Sequence, residues 1–235
     1  MTATSRSVAL ITGASRGIGR AIAQRLAPTH DLILVARDHE RLQRLAEECA
    51  GFGGQVRSIA LDITDGPGVA AALQGLQVDV LVNNAGVAHL KPFLETTPEE
   101  WHRQVDVNVH ALYHVTRAVL PGMVARGAGH VCIIGSTAGR NTFVGGSCYA
   151  GTKHFVMGFA ESLMLEVRDA GVGVSVITPG SVATDLFPVG TNTSWMLAPE
   201  NVAEAVHFAV TTPQHMLVHR LEVRPLSPKR PRPGA

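Results

Sequence analysis

The sequence predicts an α/β fold in which a doubly wound parallel sheet of about seven strands is covered by helices on both faces, within a single domain. Short apolar runs of strand length alternate along the chain with longer segments of helical length, which is the pattern of repeated strand–helix–strand units. The runs are almost continuously apolar, as expected for parallel strands buried on both faces. Hydrophobic residues make up 46% of the 235 residues, so the chain can bury one sizeable core.

The predicted elements follow one another in a regular order. Seven apolar runs are the predicted strands, and they are VALI at 8–11, LILV at 32–35, VRSIAL at 56–61, VDVLV at 78–82, VCII at 131–134, VGVSVI at 172–177 and MLV at 216–218. Helices are predicted over residues 17–26, 39–50, 98–126, 148–170 and 200–210. In the fourth of these helices, Phe155, Phe159 and Leu163 recur at four-residue steps and so share one face.

The end of the chain differs in composition from the rest. Residues 225–235 contain four prolines and three basic residues, and such a segment can neither fill a core nor hold a ladder of backbone hydrogen bonds. We therefore expect one domain over residues 1–224 and a disordered tail over residues 225–235. A basic docking or targeting motif is the alternative for the tail.

Charge and residue usage exclude several classes of protein. The formal net charge of +1 provides no strong field for nucleic acid or an anionic membrane, so neither partner is expected. The N-terminus lacks an export signal and no apolar run is long enough to cross a bilayer, which together predict a cytoplasmic protein. The three cysteines lack CxxC spacing, and His110 and His114 lack an evident third ligand, so we expect reduced thiols and no metal site.

A glycine-rich loop, TGASRGIG at residues 12–19, directly follows the first predicted strand and leads into the first predicted helix. Glycine permits tight turns with positive φ and close approach of the backbone to a pyrophosphate, and a helix start offers free N–H groups to phosphate oxygens. The spacing is GxxxGxG and not the more common GxGxxG. A plain strand-to-helix turn is the alternative, but the strand–loop–helix context favours a dinucleotide site of the Rossmann type.

The end of the second predicted strand decides between the two nicotinamide cofactors. An NAD enzyme needs an acid there to accept from the ribose hydroxyls, whereas this chain has Ala36 followed by Arg37. Together with Arg16 of the glycine loop, Arg37 can bind a 2′-phosphate through charge-assisted hydrogen bonds, so NADP(H) is the predicted cofactor. Asp38 is a competing ribose acceptor, but it directly precedes a predicted helix and is better suited to cap it.

Three residues are suited to catalysis. Tyr149 and Lys153 are four residues apart on a predicted helix, so their side chains share one face. A free phenol has a pKa of ~10, and an adjacent ammonium lowers that pKa, which suits Tyr149 to exchange a proton with a carbonyl or alcohol oxygen. Ser136 follows a predicted strand at the carboxyl end of the sheet, where its hydroxyl can stabilise a developing alkoxide. Alone, such a Tyr–Lys pair is usually a surface pair and such a serine a turn residue.

Five landmarks carry a family resemblance, and they are TGASRGIG at 12–19, Asp62 in LDITD, NNAG at 83–86, Ser136 before YAGTK at 149–153, and Pro179-Gly180. In their order and spacing they resemble the NADPH-preferring short-chain dehydrogenases/reductases, over essentially the whole chain up to the tail. The sequence departs from many members of that family in having Gly135 where they carry a first serine before Ser136, and in having Cys148 before Tyr149. Neither departure removes a catalytic group.

The resemblance implies a set of site residues. The catalytic group is expected to be Ser136, Tyr149, Lys153 and Asn108, with Asn108 holding a water that leads to the lysine. The cofactor is expected to contact Gly13, Ser15, Arg16, Gly17, Ile18, Gly19, Arg37, Asp62, Ile63, Asn84, Ala85, Gly86, Tyr149, Lys153, Pro179, Gly180, Val182 and Thr184. In particular, Asp62 would bond the adenine, Asn84 would lie along the adenosine ribose and Thr184 would cover the nicotinamide carboxamide, although each could instead be a cap or turn residue. The expected substrate contacts are Ser136, Phe143, Tyr149 and Phe187.

The expected activity is NADP(H)-dependent hydride transfer between the nicotinamide and a carbonyl or secondary alcohol, with Tyr149 as the general acid or base. A 3-oxoacyl-thioester reductase of fatty-acid type is one alternative, and a catalytically silent NADP-binding sensor or scaffold is another. The short segment at 186–199 predicts a compact lid and a small or partly exposed apolar carbonyl substrate. By resemblance, we also expect a homodimer or homotetramer assembled through the helices at 98–126 and 148–170.

Overall fold

Seven strands form one parallel sheet in the computed structural model, which describes residues 6–188, 190–213 and 215–226. The strands are β1 (Ser7–Thr12), β2 (His30–Ala36), β3 (Val56–Ala60), β4 (Val80–Asn83), β5 (Gly129–Ile134), β6 (Val172–Pro179) and β7 (Arg220–Val223). Their order across the sheet is β3-β2-β1-β4-β5-β6-β7, and each neighbouring pair is parallel. The chain changes direction across the sheet between β1 and β4, which is where open sheets of this kind bind ligands beyond the carboxyl ends of their strands.

Helices cover both faces of this sheet. Within the described residues the α-helices are α1 (Gly17–Leu26), α2 (His39–Ala50), α3 (Gly66–Leu73), α4 (Pro98–Val105), α5 (Ala111–Arg126), α6 (Ser147–Val167) and α7 (Pro199–Val210). One apolar core packs α1, α2 and α7 against one face, and a second core packs α3, α5 and α6 against the other. The predicted doubly wound sheet of seven strands is therefore confirmed.

The two cores explain why the inner strands read as continuous apolar runs. In β1, Ala9 and Ile11 belong to the first core, while Leu10 between them belongs to the second, and all three are fully buried. Successive side chains of a strand point to opposite faces, so a strand with a core on each face is apolar at most of its positions.

The seventh strand lies elsewhere than predicted. The run MLV at 216–218 is not a strand, because Met216 and Leu217 are exposed and the Thr212 hydroxyl donates to the Met216 carbonyl within the loop after α7. β7 begins at Arg220 and pairs with the second half of β6. As an edge strand it alternates exposed and partly buried residues, so it lacks the apolar run by which the inner strands were predicted.

The helix predicted over residues 98–126 is interrupted. α4 ends at Val105, residues Asp106–His110 form a π-helical turn, and α5 begins at Ala111. This interruption matters for the site, because the turn carries Asn108.

Helix α3 is absent from the prediction. Most of its eight residues are alanine or glycine, and only Val69 and Leu73 among them are buried, which leaves a weak apolar pattern. The available signal was Asp65, whose carboxylate accepts from the Gly68 N–H as an N-cap, followed by Pro67 in the first turn.

The predicted tail at 225–235 lies mostly outside the described residues. Pro225 and Leu226 are described, and a Cβ built on Gly180 would lie 3.1 Å from Pro225 Cδ. In the part of the chain that the structure describes, no helix has both the length and the apolar character needed to cross a bilayer.

Candidate active site

The glycine loop between β1 and α1 has the conformation of a phosphate-binding turn. Gly13 and Gly17 have φ angles of +64° and +53°, in the left-handed region that favours glycine. A Cβ built on Gly19 would lie 2.3 Å from the Gly13 carbonyl oxygen and 2.5 Å from Asn84 Nδ2, so a larger residue would displace the loop. The side chain of Arg16, the N-cap of α1, makes no capping hydrogen bond, which leaves N–H groups of the first turn for phosphate oxygens.

Thr12 and Asn84 hold this loop at the end of β4. Asn84 Nδ2 donates to the carbonyls of Thr12 at 2.9 Å and Gly13 at 3.3 Å. The Thr12 hydroxyl accepts from the N–H groups of Asn84 at 3.0 Å and Ala85 at 3.1 Å. In this structure the Asn84 side chain thus supports the loop, and the contact with the adenosine ribose that the resemblance implies stays a prediction.

A basic groove of about 340 Å³ lies beside the loop, and it is lined by Ser15, Arg16, Gly17, Arg20, Arg41, Arg44, Leu45, Glu48 and Asp185. Arg20 is paired with Glu48 at 2.9 Å. Arg16 approaches Asp185 at 3.5 Å, and both of these side chains are more than three-fifths exposed. Because four guanidinium groups face only two carboxylates, the groove favours an anionic ligand such as a phosphate group.

Arg37 does not line this groove; its guanidinium lies 4.0 Å from Asp62 Oδ2. Asp62 also accepts from the N–H and the hydroxyl of Thr64, at 3.0 Å and 2.7 Å. Burial raises the pKa of Asp62, but these hydrogen bonds and the charges of Arg37 and Arg103 outweigh it, so the pKa is lowered overall. Asp62 is therefore an ionised acceptor beside a cation at the edge of the cofactor region.

Asp38 is a helix cap. Its carboxylate accepts from the Arg41 N–H at 3.0 Å at the start of α2, and it pairs with the Arg41 guanidinium at 3.3 Å. The expectation that Asp38 caps this helix is confirmed, and the cap engages the acid that could otherwise accept from a ribose.

Ser136 and Tyr149 lie beyond the carboxyl end of β5. Ser136 begins a 3₁₀ turn at Thr137–Gly139, and its hydroxyl accepts from the Ala138 N–H at 3.1 Å. Tyr149 is in the first turn of α6. Burial raises the pKa of the Tyr149 phenol, and a hydrogen bond with the Ser136 side chain partly opposes that rise. The expectation that Lys153 together with bound oxidised nicotinamide lowers this pKa concerns the cofactor complex and stays a prediction.

Lys153 follows Tyr149 by one helical turn and is only 7% exposed. Its ammonium donates to the Ile134 carbonyl at 2.9 Å and lies 5.9 Å from the centre of the Tyr149 ring. Burial lowers the pKa of Lys153 to about 8. The hydrogen bond of the Lys153 ammonium thus goes to the end of β5, while the ammonium stays near the Tyr149 ring.

Asn108, in the π-helical turn, links three parts of the site. Its side-chain oxygen accepts from the Val87 N–H, and its amide donates to the Val87 carbonyl, both at 2.9 Å. The same amide donates to Thr152 Oγ1 at 3.1 Å, and the Thr152 hydroxyl donates to the Tyr149 carbonyl at 2.8 Å. π-helical turns within helices are frequent at functional sites, and this one joins the segment after β4 to the helix that carries Tyr149.

Gly86, in the segment after β4, lies close to the side chains of both Asn108 and Lys153. A Cβ built on Gly86 would lie 3.4 Å from Asn108 Oδ1 and 3.8 Å from Lys153 Nζ. A small cavity of about 10 Å³ lies beneath, lined by Thr12, Ile63, Asn83, Ala85, Val107, Asn108, Ala111, Leu112, Ile133, Ile134, Lys153 and Val156. Several of the predicted cofactor and catalytic residues thus surround one point at the switch between β1 and β4.

The segment after β6 returns to the glycine loop. Val182 pairs with Leu197, and Thr184 Cγ2 lies 3.4 Å from the position that a Cβ on Gly17 would occupy. Of the predicted substrate contacts, Phe143 is 45% exposed and Phe187 is partly buried. The segment after β6 therefore lies beside the glycine loop, while Phe143 lies in the loop between Ser136 and Tyr149.

No metal centre was predicted, because His110 and His114 lack an evident third ligand. Within residues 6–188, 190–213 and 215–226, no group of three or more histidine, cysteine or acidic side chains could hold a metal ion. His110 Nδ1 lies 3.0 Å from Asp106 Oδ1 and is part of a surface pair.

A family model described as short chain dehydrogenase matches residues 7–193. The chain belongs to this family. The resemblance predicted from the five landmarks is confirmed, and this short chain dehydrogenase is an oxidoreductase.

Relatives of this short chain dehydrogenase cover nearly its full length. It is 36% identical to the NADP-dependent 3-hydroxy acid dehydrogenase YdfG of Salmonella typhi, over 94% of this chain and 95% of that protein. It is also 36% identical to sulfoacetaldehyde reductase 2 of Chromohalobacter salexigens, over 93% of this chain and 94% of that protein. Among solved structures, the closed form of serine dehydrogenase complexed with NADP+ has a TM-score of 0.88 at 34% identity, covering 95% of this chain and 96% of that chain.

Sequence reasoning missed several residues of the site in this short chain dehydrogenase. Thr12 supports the glycine loop, Thr152 links Asn108 to Tyr149, and Arg41 and Arg44 line the basic groove. Gln104 is fully buried and hydrogen-bonded to the segment after β4. Two local signals were available. Thr12 directly precedes Gly13 of the glycine loop. Gln104 precedes Asn108 by four residues, so Gln104 and Asn108 share one helix face.

Proposed function

We propose that this short chain dehydrogenase transfers a hydride between NADP(H) and a small carbonyl or secondary alcohol substrate, with Tyr149 as general acid or base. The observation that carries the proposal is the placement of Ser136, Tyr149 and buried Lys153 beyond the carboxyl end of β5 and near the glycine loop, where Lys153 donates to the Ile134 carbonyl and Asn108 is connected through Thr152 to the Tyr149 carbonyl. An arrangement of this kind holds the proton donor and the oxyanion donor in place before the reaction begins.

The residues present fit a dinucleotide that carries an additional phosphate. The glycine loop and the uncapped first turn of α1 supply N–H donors for the pyrophosphate. The Gly19 position leaves no room for a Cβ, so the loop stays closely packed. Arg16 in the basic groove and Arg37 beside Asp62 supply guanidinium groups for a 2′-phosphate. When bound, the nicotinamide supplies or accepts the hydride. The names of the NADP-dependent relative and of the NADP+ complex support this choice of cofactor.

Tyr149 donates a proton to the substrate oxygen in reduction and removes it in oxidation. Burial keeps the phenol protonated in the free protein, which is the form that reduction requires. The Ser136 hydroxyl donates to the same oxygen as negative charge develops on it. Lys153 contributes a buried positive charge one turn away, and Asn108 and Thr152 hold the helix that carries both residues.

The substrate is proposed to be small. The lid segment is short, and two relatives are named for 3-hydroxy acids and for sulfoacetaldehyde, the latter a two-carbon aldehyde. A 3-oxoacyl thioester is the competing substrate class, and a silent NADP-binding sensor is the competing non-enzymatic function. The proposed function and these two alternatives differ in which substrates are turned over, so one panel that includes acetoacetyl thioesters separates them.

The test is a panel of substrates with both cofactors. We expect the purified chain to consume NADPH with small aldehydes, ketones or diones, or to reduce NADP+ with 3-hydroxy acids, and to use NADH or NAD+ less well. The Tyr149→Phe variant should lose about 10²- to 10⁴-fold in kcat/KM, because it removes the proton donor, while its Kd for NADPH stays unchanged.

Three results would contradict the proposal. Binding of NADPH without turnover of any panel member indicates a sensor or scaffold. Turnover of acetoacetyl thioesters far above that of simple carbonyls indicates the thioester reductase. Full activity in the Tyr149→Phe variant would remove the assigned role of Tyr149.

A further inference from the structure

Gln104 is an unusual residue in helix α4. The other residues of that helix, all of which are described, are exposed or partly buried, but Gln104 is 0% exposed. Its side-chain oxygen accepts from the His89 N–H at 3.0 Å, and its amide donates to the His89 carbonyl at 3.2 Å. A buried amide is costly unless it is hydrogen-bonded, and here both of its polar atoms bond the same residue.

One helical turn later, Asn108 makes the same pair of bonds with Val87. Val87 and His89 are two residues apart, and each bonds one side-chain amide through both its N–H and its carbonyl, as alternate residues of an extended segment do. The two side-chain amides therefore bond the backbone N–H and C=O groups of Val87 and His89 in the way that the backbone of a neighbouring β-strand would. We call this arrangement of Gln104 and Asn108 on residues 87–89 the amide clamp.

The clamped segment connects the catalytic centre to the substrate side of the site. At its start, Gly86 lies next to Asn108 and Lys153. Just beyond its end, the backbone of Lys91 lies 3.5 to 3.7 Å from the position that a Cβ on Gly145 would occupy. Gly145 belongs to the loop that carries Phe143, the predicted substrate contact, so a shift of His89 changes the spacing between that loop and the catalytic centre.

We propose that Gln104 is a positioning residue for substrate, acting through the His89 backbone to hold the wall of the site between Gly86 and Gly145. The inference rests on the proposed function, because it assigns the space between Ser136, Tyr149 and Phe143 to a substrate. Asn108 has contacts to Thr152 as well, whereas the side-chain bonds of Gln104 go to His89 alone among the described residues. Gln104 therefore allows the clamp to be weakened without disturbing the helix that carries Tyr149.

The experiment compares Gln104→Met with Ser175→Ala. Methionine keeps the volume and removes both bonds to His89. Ser175 is also fully buried, and its hydroxyl donates to the Val218 carbonyl at 2.6 Å and lies 2.7 Å from His130 Nε2. It lies inside β6, away from the candidate site, so its loss matches the structural cost of two buried hydrogen bonds. Steady-state kinetics use NADP+ with 3-hydroxypropanoate, or the panel compound turned over fastest if that acid is inert. Amide hydrogen exchange of residues 87–91 is measured on the same samples without substrate.

We expect Gln104→Met to lose about 10- to 100-fold in kcat/KM, mainly through a higher KM, because misplacement of about 1 Å at a site has effects of that size. Its Kd for NADP+ and its melting temperature should match those of Ser175→Ala, and its His89 amide should exchange faster than in the wild type. Gln104→Glu keeps an acceptor for the His89 N–H but places a buried carboxylate against the His89 carbonyl oxygen, so its loss should be at least as large as that of Gln104→Met.

Several outcomes overturn the inference. Kinetics of Gln104→Met equal to those of Ser175→Ala, together with faster exchange at His89, would show that the clamp is structural only. An equal loss of NADP+ binding would assign Gln104 to the cofactor region, and failure of both Gln104 variants to fold would assign it to folding. Absence of turnover in the wild type defeats the proposed function instead, and the exchange measurement then reports on the clamp separately.

Discussion

Charged residues around the cofactor region are arranged in pairs that a bound phosphate could rearrange. Arg16 approaches Asp185, Arg20 pairs with Glu48, and Arg37 approaches Asp62. The first and third of these pairs are long and largely exposed, so each contributes little to stability. Their guanidinium groups are consequently available to a ligand that carries more charge than a carboxylate.

Arg37→Asp tests cofactor selection at the level of one residue. We expect the Kd for NADPH to rise about 10- to 100-fold, because a hydrogen bond to a charged group contributes about 1.5–3 kcal/mol. The Kd for NADH should change far less, since NADH lacks the 2′-phosphate. Fluorescence titration with both cofactors measures the difference.

Arg117→Asp is the matched control for that titration. Arg117 is an exposed arginine of α5, and its substitution changes the net charge by the same amount. It should leave both dissociation constants unchanged. Equal losses of NADPH and NADH affinity in Arg37→Asp would show that Arg37 does not recognise the additional phosphate.

At the level of elements, helix starts and turns position the site. Thr97 and Glu100 form a capping box at the start of α4, with the Thr97 hydroxyl accepting from the Glu100 N–H and the Glu100 carboxylate accepting from the Thr97 N–H. Seven residues after Thr97, Gln104 contacts His89, and the π-helical turn that follows carries Asn108 to Val87. The start of α4 thus sets the positions at which the amide clamp is made.

Gly19→Ala tests the connection between the glycine loop and the end of β4. The added Cβ would lie 2.3 Å from the Gly13 carbonyl oxygen and 2.5 Å from Asn84 Nδ2. These distances are shorter than van der Waals contact, so the loop or the Asn84 side chain must move. We expect the free energy of unfolding to fall by about 1–3 kcal/mol, the usual cost of overpacking. NADPH affinity should fall as well, because the loop proposed to bind the pyrophosphate is displaced.

Gly158→Ala provides the contrast within the same chain. A Cβ at Gly158 in α6 meets nothing within 4 Å, so the substitution should stabilise the helix by about 0.5–1 kcal/mol. Chemical denaturation of both variants and NADPH titration measure the two effects. Unchanged stability and NADPH affinity in Gly19→Ala would contradict the close packing of the loop.

At the level of the whole molecule, stability should depend on pH through a buried histidine of the sheet. His130 in β5 has Nε2 2.7 Å from Ser175 Oγ, and burial lowers its pKa to about 4. The corresponding pKa in the unfolded chain is ~6.5. Between these values the unfolded chain binds a proton that the folded chain does not, so the free energy of unfolding falls as the pH falls from ~6.5 to about 4.

The expected loss over that range is up to about 3 kcal/mol, at 1.36 kcal/mol for each pH unit of the shift. Urea denaturation at several pH values, on the wild type and on His130→Asn, measures it. The asparagine variant is less stable at neutral pH but should lose less stability on acidification. Parallel pH profiles for the two proteins would exclude His130 as the source of the dependence.

Features that depend on neighbours along the chain were predictable. The inner strands, the glycine loop, the Asp38 cap and the Tyr149–Lys153 spacing follow from local periodicity, turn chemistry and helix geometry. For the same reason the seven-stranded architecture was predicted, although β7 was misplaced and α3 missed where the apolar pattern is weak.

Other features required the packed molecule. The separation of Arg37 from the basic groove, the support of the glycine loop by Asn84, the burial that raises the pKa of Tyr149, and the bonds of Gln104 to His89 all join or enclose segments that are distant in sequence. Local patterns specify which way a side chain faces on its own helix or strand. Which residue it contacts, and how far it is buried from solvent, depend on how the helices and strands pack together.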